Sequence, residues 1–104
     1  MEKEDLNLIA SFSTKKDDVL WASKSSNTKA LGSAISRELE KRDKLDVRAI
    51  GVSAVNQATK AISVAGGFLG QKGKSVTARI GFVDVTVPNR DKPISAINWR
   101  LKLE

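Results

Sequence analysis

The segment RAIGVSAVNQATKAISVAGGFLG, residues 48–70, decides the fold, because its apolar spacing changes in the middle. Up to Gly51 the apolar residues alternate with others, as they do in a strand. Beyond Gly51 they recur every third or fourth residue, as they do in a helix. The helical part is rich in alanine and valine but carries Asn56, Gln57 and Lys60 near its start. The segment therefore predicts a strand followed by a helix that begins with a polar cluster.

The residues before this segment predict an earlier strand and helix. VLWAS, residues 19–23, is typical of a short strand, and Ser26 or Asn27 can cap a helix by accepting a backbone N–H group. From Thr28 to Arg42 the apolar residues follow helical spacing. LDVRAIG, residues 45–51, alternates again and completes a strand–helix–strand unit.

The second helix has more apolar surface than one sheet needs to cover. Ser53 is its predicted cap, and Gly66 and Gly67 either end it early or permit the close approach of a neighbour. Two apolar stripes predict that the helix also forms a contact between two subunits. The predicted buried stripe is Val55, Ala58, Ile62, Ala65 and Leu69, and the second stripe is Ala61, Val64 and Phe68.

The C-terminal third of the chain predicts a hairpin. Residues 75–87 form a long strand whose apolar face changes at Gly81, where a β-bulge would redirect the side chains. PNRDKP, residues 88–93, is typical of a turn, and the last residues alternate as a strand with one buried face. The element order β-α-β-α-β-β predicts an α+β, two-layer domain with a four-stranded sheet and two helices on one face.

Charge divides the chain into two parts. The chain as a whole has a formal net charge of +6, but residues 1–18 carry three lysines and five acids, whereas residues 19–104 carry fifteen basic and seven acidic residues. We therefore expect an acidic N-terminal extension over residues 1–18 and a basic domain over residues 19–104. A basic domain favours a polyanionic partner, with nucleic acid ahead of a membrane surface, although excess lysine also serves solubility.

The residue types present argue against an enzyme. The chain has no His, which is the usual general base near neutral pH. It also has no Cys, so it contains neither a thiolate nucleophile nor a thiolate metal ligand. Asp84 and Asp91 are isolated acids, and GQKGK, residues 70–74, lacks the spacing of a phosphate loop. We expect no catalytic residues, no metal and no cofactor. No apolar run approaches the length of a membrane span, and the acidic N-terminus is unlike a signal peptide, which together favour a cytoplasmic protein, free or associated with the nucleoid.

Three polar clusters remain as candidate binding sites. SKSSNTK, residues 23–29, combines Lys24, Ser25, Asn27 and Lys29 with a helix N-terminus, which either attracts phosphate or is simply a capped helix start. Each of the other two clusters also has a binding and a structural interpretation. The hairpin tip with Arg90 and Lys92 either reaches a nucleic-acid backbone or is a soluble turn. The cluster of Asn56, Gln57 and Lys60 either binds phosphate or locks the helix to the first loop through a buried Asn56.

These residues also resemble a known family. The strand ending in SKSSN, the motif AIGVSAVNQATKAISVA and the ending FVDVTVPNRDKPISAI are similar to the stage V sporulation protein S family over roughly residues 19–103. The resemblance implies an Alba-like fold, which belongs to a superfamily of dimeric DNA- and RNA-binding proteins. It implies that Lys24 stands where such proteins carry a nucleic-acid-binding lysine, and that Arg90 and Lys92 lie on a hairpin that reaches along a duplex. Asn56, Gln57 and Lys60 match the family pattern N-Q-x-x-K and are expected on the same surface.

The expected function is nucleic-acid binding, to DNA or RNA, with low sequence specificity and a role in regulating gene expression or development. The expected assembly is a homodimer that forms through the second helix. The expected site comprises Lys24, Ser25, Asn27, Lys29, Asn56, Gln57, Lys60, Arg90 and Lys92. The alternative is a protein-interaction or structural module of a developmental programme whose basic surface binds an acidic partner.

Overall fold

The computed structural model describes residues 19–104, so the prediction of an acidic extension over residues 1–18 lies outside the described residues. The described chain forms four strands and two helices in the predicted order. The elements are β1 (Val19–Trp21), α1 (Thr28–Arg42), β2 (Lys44–Ala49), α2 (Val52–Gly70), β3 (Val76–Val85) and β4 (Ile94–Leu103).

The four strands form one mixed sheet in the order β1-β2-β4-β3. β1 is parallel to β2, while β4 is antiparallel to both of its neighbours. Leu45 is paired with Leu101, and Val47 with Trp99, so these side chains share one face of the sheet. That face is buried against the helices, which makes a two-layer domain with its main core between helices and sheet.

Helix α1 confirms its predicted bounds and one of its two predicted caps. The Asn27 side chain accepts a hydrogen bond from the backbone N–H of Ala30 at 2.9 Å, which is the geometry of an N-cap. The helix ends where Asp43 adopts a left-handed conformation with φ of 68°, and the Asp43 N–H donates to the carbonyl of Leu39.

The predicted start and buried face of α2 are wrong in detail. The helix begins at Val52 after Gly51, whose φ of 91° suits glycine, and no side chain caps it, so Ser53 is not the cap. The helix also continues through the glycine pair to Gly70 rather than ending early. Its buried residues are Ala54, Ala58, Ala61, Ala65 and Leu69, whereas Val55 and Ile62 of the predicted stripe are only partly buried.

Two residues of the second predicted stripe on α2 contact α1. A Cβ atom added to Gly32 of α1 would lie 2.6 Å from Val64 Cγ1 and 2.9 Å from the carbonyl oxygen of Ala61. The two helices therefore approach each other where α1 has no side chain, and Val64 fills that space. Ala61 is fully buried there and Val64 is partly buried, so both residues contribute to the contact between the two helices.

β3 alternates without the predicted bulge at Gly81. Its pairing with β4 is unbroken from Val76 to Val85, so Ile80 and Phe82 lie on the helix side and Val83 lies on the other side by simple alternation. The helices do not cover this part of the sheet, so the Ile80 side chain is 64% exposed and the Phe82 side chain is 81% exposed. On the opposite face a smaller apolar cluster forms where the hairpin begins; its buried members are Val85, Val87 and Ala96.

Candidate nucleic-acid interface

The sheet topology brings the three sequence-predicted clusters to one edge. β1 and β2 are parallel, so the loop after β1 and the start of α2 lie at the same end of the sheet. β4 is antiparallel to β2, with Ala49 opposite Ile97, so the turn between β3 and β4 also lies at this end. We call this end the loop edge and define it by residues 22–29, 50–60 and 86–93, so that it includes the three clusters and the helix starts that carry them.

The loop after β1 is held in shape by its own serines and presents Lys24 to solvent. The Ser23 N–H donates to Ser26 Oγ at 2.8 Å, and the Ser25 N–H donates to Ser23 Oγ at 3.3 Å. Lys24 and Ser25 are exposed at the turn between these bonds. The serines therefore fix the backbone that carries Lys24, while the Lys24 side chain remains available to a partner.

Asn27 and Lys29 have different roles although they are neighbours. The side-chain oxygen of Asn27 is occupied by the cap of α1, so its demonstrated role is structural. Lys29 is exposed in the first turn of that helix. The first turn of α1 contains no acid, so the partial positive charge of the helix start is not offset there.

The amide that locks α2 to the first loop is Gln57, not Asn56. Gln57 Nε2 donates a 2.7 Å hydrogen bond to the backbone oxygen of Ser26, 31 residues earlier in the chain. Asn56 is exposed and has only a 3.5 Å contact with the Gln57 side chain, so the buried role predicted for Asn56 is wrong. Lys60 is exposed one turn further along the helix. The Gln57 bond joins the first and third sequence clusters into one surface.

The hairpin carries the second cluster beyond the rest of the sheet. β3 and β4 remain paired up to Val85 and Ile94, three residues past the last β2 pair, which is an extension of about 10 Å. Asn89 has φ of 69°, and the Arg90 N–H donates to the carbonyl of Val87 in the turn. Arg90 and Lys92 are both exposed.

Two acids near the opposite end of the helices, Glu38 and Glu40, have basic partners. Glu40 contacts Lys72 Nζ at 3.0 Å and Lys74 Nζ at 3.8 Å, and the hydrogen bond from Lys72, with the charges of both lysines, holds the pKa of the Glu40 carboxyl below its usual value. Glu38 pairs with Arg42. At the loop edge, by contrast, residues 19–104 provide no ion pair for Lys24, Lys29, Lys60 or Lys92.

A second group of basic residues was not predicted as a site. The polar sides of β2, β3 and β4 share the face of the sheet that points away from the helices. On it Arg100 donates from Nε and Nη2 to the two Asp46 carboxylate oxygens at 3.1 and 3.3 Å, and these bonds raise the pKa of the Arg100 guanidinium. The alternation of Asn98, Arg100 and Lys102 was visible in the sequence, but only the strand register shows which cations of other strands lie beside them.

Other kinds of site are not indicated by the described residues. Residues 19–104 contain no cluster of three or more acidic, histidine or cysteine side chains that could hold a metal ion. Over the same residues, neither helix is both long enough and apolar enough to span a membrane.

Comparison with solved structures identifies the class of fold. The described architecture matches "Alba from Thermoplasma volcanium" with a TM-score of 0.52 and 13% sequence identity, over 81% of this chain and 98% of that one. The domain is therefore an Alba-like α+β domain. At the level of sequence, the family model of stage V sporulation protein S matches residues 18–104. The chain belongs to the stage V sporulation protein S family.

Proposed function

We propose that this chain is a nucleic-acid-binding protein that contacts the phosphate backbone with low sequence specificity and regulates gene expression or development. One observation carries the proposal. Three separate segments of the chain bring exposed cations to the loop edge, and the acids of residues 19–104 leave most of these cations without an ion pair. The cations are Lys24, Lys29, Lys60, Arg90 and Lys92.

The arrangement suits phosphate more than base edges. Lysine acts as a point charge towards phosphate, and arginine donates in a fork that fits two phosphate oxygens. α1 and α2 both begin near this edge without an acid in their first turns, which adds a weak attraction for anions. Asn27 is committed to its cap and Gln57 to its loop contact, so few side chains are left to read base edges.

A salt titration with single-site variants tests the proposal. Lys24→Ala should weaken binding to unrelated duplexes by similar factors and lower the slope of log affinity against log salt by about 1 for each phosphate that the variant no longer neutralises. The double variant Arg90→Ala, Lys92→Ala should act in the same direction, because the hairpin is a separate part of the surface. Binding is measured by fluorescence anisotropy with labelled duplexes of mixed sequence.

Lys41→Ala is the matched control. Lys41 is an exposed lysine in the last turn of α1, at the end of the helix away from the loop edge, and its removal changes the net charge by the same amount. The control should keep the wild-type affinity and salt slope. If Lys24→Ala and the hairpin variant behave like Lys41→Ala while remaining folded, the loop edge does not bind nucleic acid. The alternative function, binding of an acidic protein partner, is then favoured.

We also propose that the functional unit is a homodimer. The second helix is expected to form its interface, and two large apolar side chains of β3, Ile80 and Phe82, are also exposed in the described domain. Exposed side chains of this size on an edge strand are costly in water, and a second copy would cover them. The interface we propose therefore consists of the helix side of β3 together with the exposed side of α2.

Light scattering at micromolar concentration tests the dimer. Wild type should give about twice the chain mass of 11.3 kDa. Ile80→Ser combined with Phe82→Ser should shift the mass to that of one chain, whereas Ala30→Ser on the exposed side of α1 should leave it unchanged. A wild-type mass of one chain would refute the dimer, and a dimer that survives the double variant would refute this interface.

A further inference from the structure

The face of the sheet that points away from the helices carries a compact basic group. We call it the outer sheet face. The register places Lys44 opposite Lys102, and Arg79 opposite Arg100, so two pairs of like charges lie directly across neighbouring strands. Its charged members on β2, β3 and β4 are Lys44, Asp46, Arg48, Arg79, Arg100 and Lys102.

This arrangement is unfavourable in an isolated domain. Like charges opposite each other destabilise a sheet. The single acid of the group, Asp46, is already engaged by both donors of the Arg100 fork. Within residues 19–104 no acid pairs with Lys44, Arg79 or Lys102. Repulsion of this kind is relieved when an anion lies between the cations, so the pattern indicates a surface that receives a ligand.

The centre of the outer sheet face is a shallow depression. Gly81 lies opposite Asn98, and a Cβ atom added to Gly81 would have no atom within 4 Å, so the floor is open. Arg48, Arg79 and Arg100 line the depression. Three guanidinium groups around an open floor fit phosphate oxygens, because each guanidinium can donate two parallel hydrogen bonds.

Two of the three arginines are held in place. Arg48 Nε donates to Asn98 Oδ1 at 2.9 Å, and Arg100 is held by Asp46. A side chain that is already ordered loses less entropy when it binds a ligand. Arg79 makes no hydrogen bond to another side chain of the described domain, so its donors are available to a ligand.

We propose that the outer sheet face binds the phosphate backbone of a single-stranded nucleic acid, as a surface separate from the loop edge; the proposal rests on the proposed nucleic-acid-binding function. The basic group spans three strands and four residue steps, about 10 by 14 Å. A rigid duplex lying on so small and flat a patch reaches few phosphates, whereas a flexible single strand can bend to bring consecutive phosphates onto it.

The test compares single-stranded and duplex probes on full-length protein. Arg79→Gln should weaken binding of a thymidine oligonucleotide of about 20 residues by about five- to tenfold, and should lower its salt slope by about 0.7, the value for one phosphate contact on a single strand. It should leave the affinity for a duplex of the same length within about twofold. Asp46→Asn, which removes the one negative charge of the group and keeps a side-chain oxygen that can accept from Arg100, should tighten binding of the same oligonucleotide.

Arg37→Gln is the matched control, because Arg37 is exposed on α1 in the other layer and the substitution has the same charge change. If Arg79→Gln and Arg37→Gln behave alike on the oligonucleotide, the outer sheet face is not a site. If Arg79→Gln weakens duplex and oligonucleotide equally, the specific proposal of a single-strand surface is overturned.

Lys24→Ala in the same experiment separates the two proposals. If Lys24→Ala weakens duplex binding while Arg79→Gln changes nothing, the proposed function stands and the outer sheet face fails. If wild type binds neither probe, the proposed function itself fails, and the outer sheet face fails with it.

Discussion

Replacement of Gly32 by alanine tests the close packing of α1 against Val64 of α2. The added Cβ atom would lie 2.6 Å from Val64 Cγ1, 2.7 Å from Val64 Cβ and 2.9 Å from the carbonyl oxygen of Ala61. Two of these three atoms belong to the backbone or are bonded directly to it, so a rotamer change of Val64 does not relieve the overlap. The helices α1 and α2 must move apart, which loosens the core beneath them.

The expected magnitude is the difference of two opposing effects. Alanine is favoured over glycine in a helix interior by about 1 kcal/mol. Overpacking a close contact costs about 1–3 kcal/mol, and an overlap with backbone atoms belongs in the upper part of that range. We therefore expect Gly32→Ala to lower the free energy of unfolding by about 1–2 kcal/mol. For a domain of this size each kcal/mol lowers Tm by roughly 4–8 °C.

Urea and thermal unfolding followed by circular dichroism measure this change. Gly67→Ala is the matched control, because Gly67 is exposed in α2 and an added Cβ atom there has no atom within 4 Å. The same chemical change should raise the free energy of unfolding by about 0.5–1 kcal/mol at that position. If Gly32→Ala is as stable as wild type or more stable, the two helices are not in close contact at Gly32.

Three further outcomes follow from the loop edge and the extension. Asn27→Ala should lower the free energy of unfolding by about 1 kcal/mol in urea, because the cap of α1 is removed, while Asn27→Asp should retain it. Gln57→Ala should cost about 0.5–1.5 kcal/mol and speed amide hydrogen exchange in residues 23–27, and unchanged exchange would show that the Ser26 contact does not order that loop. Deletion of residues 1–17 should leave Tm nearly unchanged and tighten nucleic-acid binding modestly, because the acidic segment competes for the basic surface; weaker binding would instead make the segment part of the site.

Elements with one buried face could be predicted from the sequence. β2 and β4 each bury alternate residues, so their apolar pattern has a period of two and appears directly in the sequence. α1 has a capping residue, a buried stripe and a left-handed residue after its end, and its predicted bounds are confirmed. The resemblance to the stage V sporulation protein S family implied an Alba-like fold, the order of these elements supported it, and the comparison with solved structures confirms it.

The buried face of α2 could not be ranked by hydrophobicity. Close approach to α1 and to the sheet selects small side chains, so the core positions are mostly alanines, and the larger Val55 and Ile62 lie at its margin. A prediction that gives more weight to large apolar residues therefore places the buried face of α2 to one side of the observed one. The contact of Val64 with Gly32 joins residues far apart in the sequence, so no local pattern records it.

The polar residues at the start of α2 show the same limit. Asn56 and Gln57 are adjacent amides, and either could have locked the helix to the first loop. A rotation of about 100° per residue separates them on the helix, and only the position of the Ser26 carbonyl decides between them.

The cations of the outer sheet face were each visible as polar positions in a strand. Their grouping depends on a register that residues far apart in the chain determine.

The alternation of β3 explains how one edge strand can serve two partners. Ile80 and Phe82 point to the helix side, where the helices leave them uncovered, while Arg79 and Gly81 point to the outer sheet face. Successive residues of a strand lie on opposite sides of the sheet, so a second copy on one side leaves the phosphate oxygens of a nucleic acid free to approach on the other. A bulge at Gly81 would have shifted this alternation by one residue and mixed apolar and basic side chains on both faces. The unbroken pairing from Val76 to Val85 is therefore what keeps the proposed dimer surface and the proposed single-strand surface apart.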